Sequence, residues 1–256
     1  MNAGTLAGAL RERPCYGISC RMARTMDIAP MLRDCGYDWM FLDLEHGPLS
    51  MDLLTQMALA GNEAGVTPIV RMADAAPAPI NRVLSNGAMG VMVPHVDDPE
   101  TAEAVARQCR FPPRGERSVP GFVPHLGYHT RSVADAAKLL EPLTLCAVMI
   151  ESRAAVDAVE EIAAVDGVDI LFVGASDLTF DIGKPGAYDD PEMKAAMDRV
   201  ARAIHTHGKI GGFGGVAKAD VARRYVGMGL NLVMAGNDQT LFLHGARARL
   251  KALTES

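Results

Sequence analysis

The chain has 256 residues, 49% of them hydrophobic, and a formal net charge of −6. No low-complexity or charged stretch interrupts its apolar pattern, so the length reads as a single domain over 1–256 rather than two smaller ones. The acidic balance gives no footprint for nucleic acid or anionic membrane, and no run approaches the roughly 18 apolar residues that span a bilayer, which leaves small molecules as the expected partners.

In chain order, the segment 1–14 lacks the apolar core of a secretory leader. The five cysteines (15, 20, 35, 109 and 146) form no CxxC pair, which predicts buried thiols and a cytoplasmic protein. A β-like run at 16–20 precedes helical periodicity in IAPMLRDCG. A second run at 39–43 ends on Asp43, with Glu45 and His46 just beyond. A helix capped by Ser50 leads to a third run at 67–71, ending on Arg71, and PAPINRVLSNG leads to a fourth at 90–94, followed by His95. After the helical PETAEAVARQC comes a Pro/Gly-rich stretch from Phe111 to Thr130, longer than an ordinary loop. The fifth run, 145–150, is followed by Glu151, and the sixth, 169–173, by Gly174, Ala175, Ser176 and Asp177. The seventh, 209–213, leads to Gly214 and Gly215. The eighth, 230–234, leads to Gly236, Asn237 and Asp238 before a last helix at about 239–253.

Eight apolar runs alternating strictly with helices predict parallel strands covered on one face by helices, the α/β (β/α)8 TIM barrel. An open doubly wound sheet is the alternative, but no GxGxxG follows the first run. Catalytic groups in this barrel come from strand C-termini, and the charges fall there, whereas the N-terminal ends carry only Asp38, Asp169 and Lys209.

Glu151 and Asp177 lie just past consecutive strands, so their carboxylates can hold a hard divalent cation and leave positions for water and substrate. The alternative is that Glu151 caps the helix near Arg153 and Asp177 is a turn residue. His46, in a mouth loop, is a candidate acid or base. Arg71 is either half of a structural ion pair or a partner for an anionic substrate oxygen. His95, His125 and His129 are weaker candidates, and His205, His207 and His244 fall on helices as surface residues. None of the six lysines (138, 184, 194, 209, 218 and 251) ends a strand, which argues against imine chemistry. The glycines of GKIGGFGGVAK and MAGN fit an anion cradle or close packing.

The segments DLEHGPLS (43–50), 86–119 with its PPRGER, VMIES (148–152), VDILFVGASDL (168–178) and 229–242 closely resemble the metal-dependent pyruvate aldolases of the 4-hydroxy-2-oxoheptanedioate aldolase and citrate lyase family. The resemblance runs through nearly the whole chain, and D-x-E-H, P-P-x-G-E-R and I-E-S with G-x-x-D-L form a specific combination. It implies Glu151 and Asp177 as metal ligands, His46 and Asp43 in proton transfer, and Arg71 on the pyruvate keto oxygen. It further implies Gly174, Ala175 and Ser176 lining the pyruvate site through backbone groups. It also implies a homohexamer in which the C-terminal helix packs on a neighbouring barrel.

Three segments depart from the family pattern. Ala175 stands where many members have proline, Leu84, Ser85 and Asn86 where many carry an acid that orients the histidine, and Met149 where glutamine is common. The expected activity is reversible cleavage of a 4-hydroxy-2-oxo acid to pyruvate, or a related 2-oxo acid, and an aldehyde, with Mg²⁺, Mn²⁺ or Co²⁺ as cofactor. The Phe111 to Thr130 stretch is expected to form part of the wall facing the aldehyde, in its own subunit or across a subunit boundary. The alternatives are a CoA-ester lyase of the citrate or malyl-CoA type and a barrel that only binds a 2-oxo acid.

Overall fold

A computed structural model of the chain describes residues 3–255. All eight runs are strands: β1 (Cys15–Cys20), β2 (Trp39–Asp43), β3 (Thr67–Arg71), β4 (Gly90–Val93), β5 (Leu145–Ile150), β6 (Ile170–Gly174), β7 (Ile210–Gly214) and β8 (Leu230–Asn237). Each pairs in parallel with the next, and β8 pairs with β1 to close the barrel. The strand ends match the sequence reading to about a residue except in β8. There a register shift opposite Gly17 and Ser19 keeps the chain extended until Asn237 lies beside Ser19. No helix among the described residues is long and apolar enough to cross a membrane.

The side-chain period of two divides the core into an inner and an outer shell. Along β2, Trp39 and Phe41 enter the barrel interior with Ile69, Met92, Met149, Ile170, Phe172 and Leu232. Met40 and Leu42 face outward to the helices with Val70, Val91, Val148, Leu171 and Val173. Both faces of β2 to β5 are therefore buried, which is why these strands read as unbroken apolar runs. The same alternation makes Asp43 and Arg71 the last inward residues of β2 and β3, paired in register, and brings Glu151 inward two positions after Met149. The helix Ala3–Glu12 closes the opposite end by adding Leu6 and Leu10 to the inner shell.

Packing accounts for the glycines of β7. A Cβ on Gly212 would sit 2.7 Å from the Phe172 ring, and one on Gly214 would sit 2.4 Å from Met234. The cysteines are all free, and four are buried, but Cys35, expected inside, is exposed at the C-cap of the helix Ile28–Asp34.

The stretch from Phe111 to Thr130 lies away from this subunit's own mouth. It follows the helix Pro99–Cys109, which runs down from the mouth, so it lies at the N-terminal end of the barrel and walls no part of this subunit's mouth. Arg117 donates to Thr144 Oγ1 at 2.7 Å and to the Leu84 carbonyl at 3.2 Å, and the His125 ring meets the Ala88 carbonyl at 2.9 Å. His125 is thereby removed from the candidates.

Trp39, the sole tryptophan, lies against Gly17 of β1, where a Cβ would approach the indole to 2.3 Å. Gly17→Ala should overpack the interior and destabilise the protein by about 1–3 kcal/mol. Urea unfolding followed by Trp39 emission measures this, and an unchanged midpoint would contradict the packing described.

Candidate active site

Asp43 organises the mouth. It is fully buried and accepts from Arg71 Nε at 3.0 Å and Nη2 at 2.6 Å, a two-pronged pair. The backbone N–H groups of Glu45 and His46 donate to its Oδ1 at 3.1 and 3.2 Å, so the DLEH turn winds round the carboxylate. Burial alone would raise its pKa. The bonds and charge of Arg71, the His46 N–H and the charge of Arg21 outweigh burial and hold the carboxyl below its ordinary range. Burial likewise works against the charge of Arg71, but Asp43, Glu45 and Glu151 keep its pKa raised. Arg71 Nη1 lies 2.9 Å from Glu45 Oε2, which fixes a second edge of the guanidinium.

Glu151 is in the opposite situation. It is 5% exposed and accepts one hydrogen bond, from the His95 backbone N–H at 3.2 Å. Burial, with the charges of Asp177 and Glu45 adding to it against the His95 bond, pushes its pKa up to about 7. It caps no helix, because Ser152 caps Arg153–Asp157 by accepting from Ala155 N. Gly174 leaves it room, since a Cβ there would lie 2.2 Å from Glu151 Oε1. Asp177 stands exposed in the first turn of the helix Ala175–Asp181.

A buried acid short of positive partners, with a second carboxylate close by, suits a hard cation. No three His, Cys, Asp or Glu side chains among the described residues form a ligand set by themselves. A cation held by Glu151 and Asp177 would therefore keep positions for water or substrate.

Glu45 links the remaining groups. Its Oε1 lies 3.1 Å from His95 Nε2 and its Oε2 lies 3.9 Å from His46 Nε2, while His95 Nδ1 is 3.6 Å from Glu151 Oε2. His95 takes a left-handed backbone, φ 55°, to turn its N–H toward Glu151. His46 extends a half-exposed ring into the mouth. Ser176 Oγ donates to the Gly215 carbonyl at 3.1 Å, and the buried Ala175 precedes it. Met149 puts an apolar floor beneath Glu151, which contributes to its burial. His129 is exposed within the Phe111 to Thr130 stretch, and His205 and His207 are exposed as expected.

One mouth residue escaped the sequence reading. Arg21, the residue after β1, brings Nε to 3.4 Å from Asp43 Oδ2. The signal was present, since Arg21 follows a strand end as His95 and Glu151 do. Asp238 holds the loop that carries it, accepting from the backbone N–H of Arg21, Met22 and Ala23 at 3.0, 2.8 and 2.7 Å.

Comparison with known proteins agrees with the barrel fold and identifies a family. Residues 22–245 match the HpcH/HpaI aldolase/citrate lyase family model. A 4-hydroxy-4-methyl-2-oxoglutarate aldolase of Hapsidospora irregularis is 35% identical over 206 residues, 80% of this chain and 76% of that protein. A 2-keto-3-deoxy-L-rhamnonate aldolase of Shigella sonnei is 32% identical over 226 residues, 88% of this chain and 84% of that protein. The crystal structure of a family protein from Burkholderia cenocepacia superposes with a TM-score of 0.88 at 31% identity, covering 98% of this chain and 99% of that one. The chain belongs to the HpcH/HpaI aldolase/citrate lyase family.

Proposed function

We propose that the protein is a divalent-cation-dependent carbon–carbon lyase that reversibly cleaves a 4-hydroxy-2-oxo acid to pyruvate, or a related 2-oxo acid, and a carbonyl compound. The observation that carries this reading is the pairing of the buried, under-neutralised Glu151 and nearby Asp177 with Arg71, whose guanidinium Asp43 fixes at the same mouth. No observation at the mouth favours the CoA-ester lyase or the non-catalytic barrel.

Glu151 and Asp177 would hold the cation, which would supply positive charge for the 1-carboxylate and 2-oxo oxygens of the substrate. Arg71 adds a fixed positive charge where the enolate oxygen develops, at no reorganisation cost because Asp43 and Glu45 already hold it. The 4-hydroxyl proton passes to His46, the C4–O bond becomes a carbonyl, and the C3–C4 electron pair becomes the C2–C3 double bond of the enolate. Protonation at C3 then gives the pyruvate methyl group. Asp43, saturated and held ionised, orients Arg71 and the turn that carries His46 rather than carrying a proton itself. Glu45, the nearest acid to the His46 ring, takes the orienting part that Ser85 cannot. The Gly174 to Ser176 backbone lines the pyruvate pocket.

The relatives' names divide on the acid cleaved, an oxoglutarate derivative in one and a rhamnonate derivative in the other. Mg²⁺, Mn²⁺ and Co²⁺ all suit the oxygen ligands, and the expected compartment is the cytoplasm. The helix Asp238–Thr254 exposes Leu241, Phe242, Leu243, Leu250 and Leu253. This apolar surface supports an assembly, in our reading a homohexamer, in which the helix packs on a neighbouring barrel. Replacing Leu250 and Leu253 by Glu should lower the mass measured by light scattering, and an unchanged mass would remove the helix from the interface.

Cation dependence leaves a thermodynamic signature. Folded Glu151 keeps its proton to about pH 7, whereas an unfolded one loses it near the ordinary 4.5. In cation-free protein this group's stabilising contribution is therefore complete below 4.5 and lost as pH rises to about 7. Added Mg²⁺ or Mn²⁺ should raise Tm more at about pH 8 than at about pH 5, and Glu151→Gln should flatten both trends. Melting curves with and without cation test this, and equal cation shifts in wild type and Glu151→Gln would unseat the ligand assignment.

Arg71 and His46 separate kinetically. Deuterium exchange of the pyruvate methyl group requires the enolate but no 4-hydroxyl. Arg71→Lys, which keeps the charge and loses the planar fork, should suppress exchange and cleavage together. His46→Ala should reduce cleavage about 10²- to 10⁴-fold and exchange less. NMR of exchange beside coupled pyruvate detection measures both, and cleavage at the wild-type rate in His46→Ala would move the base to another group.

A further inference from the structure

Two hydroxyl groups converge on one carbonyl just past β7. Tyr188 Oη donates to the Gly215 carbonyl at 2.7 Å, and Ser176 Oγ donates to it at 3.1 Å. A carbonyl oxygen has two lone pairs, so this acceptor is saturated. The reaction above gives neither bond a part. Gly215 takes a left-handed backbone, φ 80°, and a Cβ there would lie 2.9 Å from Ser176 N. Only glycine lets the chain after β7 come this close to the turn assigned above to the pyruvate pocket.

Tyr188 reaches Gly215 from a segment that is itself held. It lies between the helices Ala175–Asp181 and Pro191–Thr206, and its half-buried ring packs on the outer shell of the core. Arg224, on the helix Ala219–Gly227, donates to the Tyr188 carbonyl at 3.1 Å and to Asp189 Oδ1 at 2.7 Å, and Thr179 Oγ1 accepts from the Gly186 N–H at 3.1 Å. In a planar trans peptide the N–H points opposite to the C=O. With the Gly215 carbonyl turned to the two hydroxyls, the Val216 N–H is turned away from them, and it donates to no acceptor among the described residues. Ser176, Gly215 and Val216 line one cavity of about 570 Å³, and no Asp or Glu lines it. A fixed backbone donor beside the pyruvate pocket, with no protein anion to take it, suits an anionic substrate oxygen.

Resting on the aldolase reading, we infer that Tyr188 is a positioning residue for the 2-oxo acid. Together with Ser176 it fixes the Gly215–Val216 peptide so that the Val216 N–H donates to the 1-carboxylate of the substrate. Tyr188 touches no reacting atom. The 1-carboxylate keeps its charge from substrate to pyruvate, so the contact is worth the same before and during the chemical step and serves binding rather than turnover.

The test uses the full-length protein with Mn²⁺ and follows methyl deuterium exchange by NMR, with pyruvate and with pyruvamide, which lacks the charged carboxylate. Tyr188→Phe keeps the ring and removes only the hydroxyl. It should raise KM for pyruvate about 3- to 10-fold, the worth of one hydrogen bond, with kcat unchanged and with a smaller rise for pyruvamide. On a Ser176→Ala background, where Tyr188 is the one hydroxyl left on the Gly215 carbonyl, the same substitution should raise KM further than it does in the wild type. An unchanged KM in Tyr188→Phe, whatever its melting temperature, would leave Tyr188 a packing residue and overturn the inference. Equal rises for pyruvate and pyruvamide, or a fall in kcat alone, would overturn it by moving the contact to the 2-oxo oxygen, and a smaller rise on the Ser176→Ala background would overturn the shared hold on Gly215. Absence of exchange and cleavage in the wild type would overturn the aldolase reading and the inference with it.

Discussion

The buried pair of Asp43 and Arg71 is the interaction on which the mouth depends. Taking two charges out of water is favourable only when their remaining bonding capacity is met, and breaking such a pair from one side costs about 3–5 kcal/mol. Asp43 meets the condition with two bonds from Arg71 and two from the turn that follows it. One carboxylate thus sets the direction of Arg71, the path of the DLEH turn and, through that turn, the places of Glu45 and His46. The parallel register that sets Asp43 beside Arg71 makes the pair possible, so the geometry of the site is a property of the sheet.

Glu151 shows the complementary device. It occupies the same rim on the far side of the ring, but its surroundings supply one backbone donor and no directly bonded cation. The barrel pairs one acid directly with an arginine and leaves the other with a single backbone donor. The contrast rests on small differences. Met149 lies beneath Glu151 where a polar residue would ease its burial, and Gly174 admits the carboxylate where any side chain would collide with it.

The barrel was legible because both strand faces are buried, so each strand appears as an unbroken apolar run between helices, and the rim residues follow from where those runs stop. What resisted reading depends on distances along no single strand. Pro/Gly-rich composition and length marked 111–130 as a functional loop, but composition does not say at which end of a barrel a loop lies. The preceding helix decides that, by carrying the chain away from the mouth. Arg21 passed unnoticed because its partners, Asp43 and Asp238, come from distant parts of the chain. The glycines of β7 had two readings until Phe172 and Met234 were placed against them. The family resemblance marks Asp43 for proton transfer, and its four hydrogen bonds, invisible in the motif, hold it as a buried carboxylate.

Asp238 joins the loop after the first strand to residues 215 to 217 positions later in the chain. During synthesis, Arg21 emerges 217 residues before the acceptor that fixes its backbone. The mouth can take its final shape only after the eighth strand has closed the ring. Asp238 also heads the helix whose apolar surface faces outward, so the fastening of the first loop and the seating of that helix are one event. Whatever disturbs the last helix is felt at the far end of the sequence, in the arginine beside the buried ion pair.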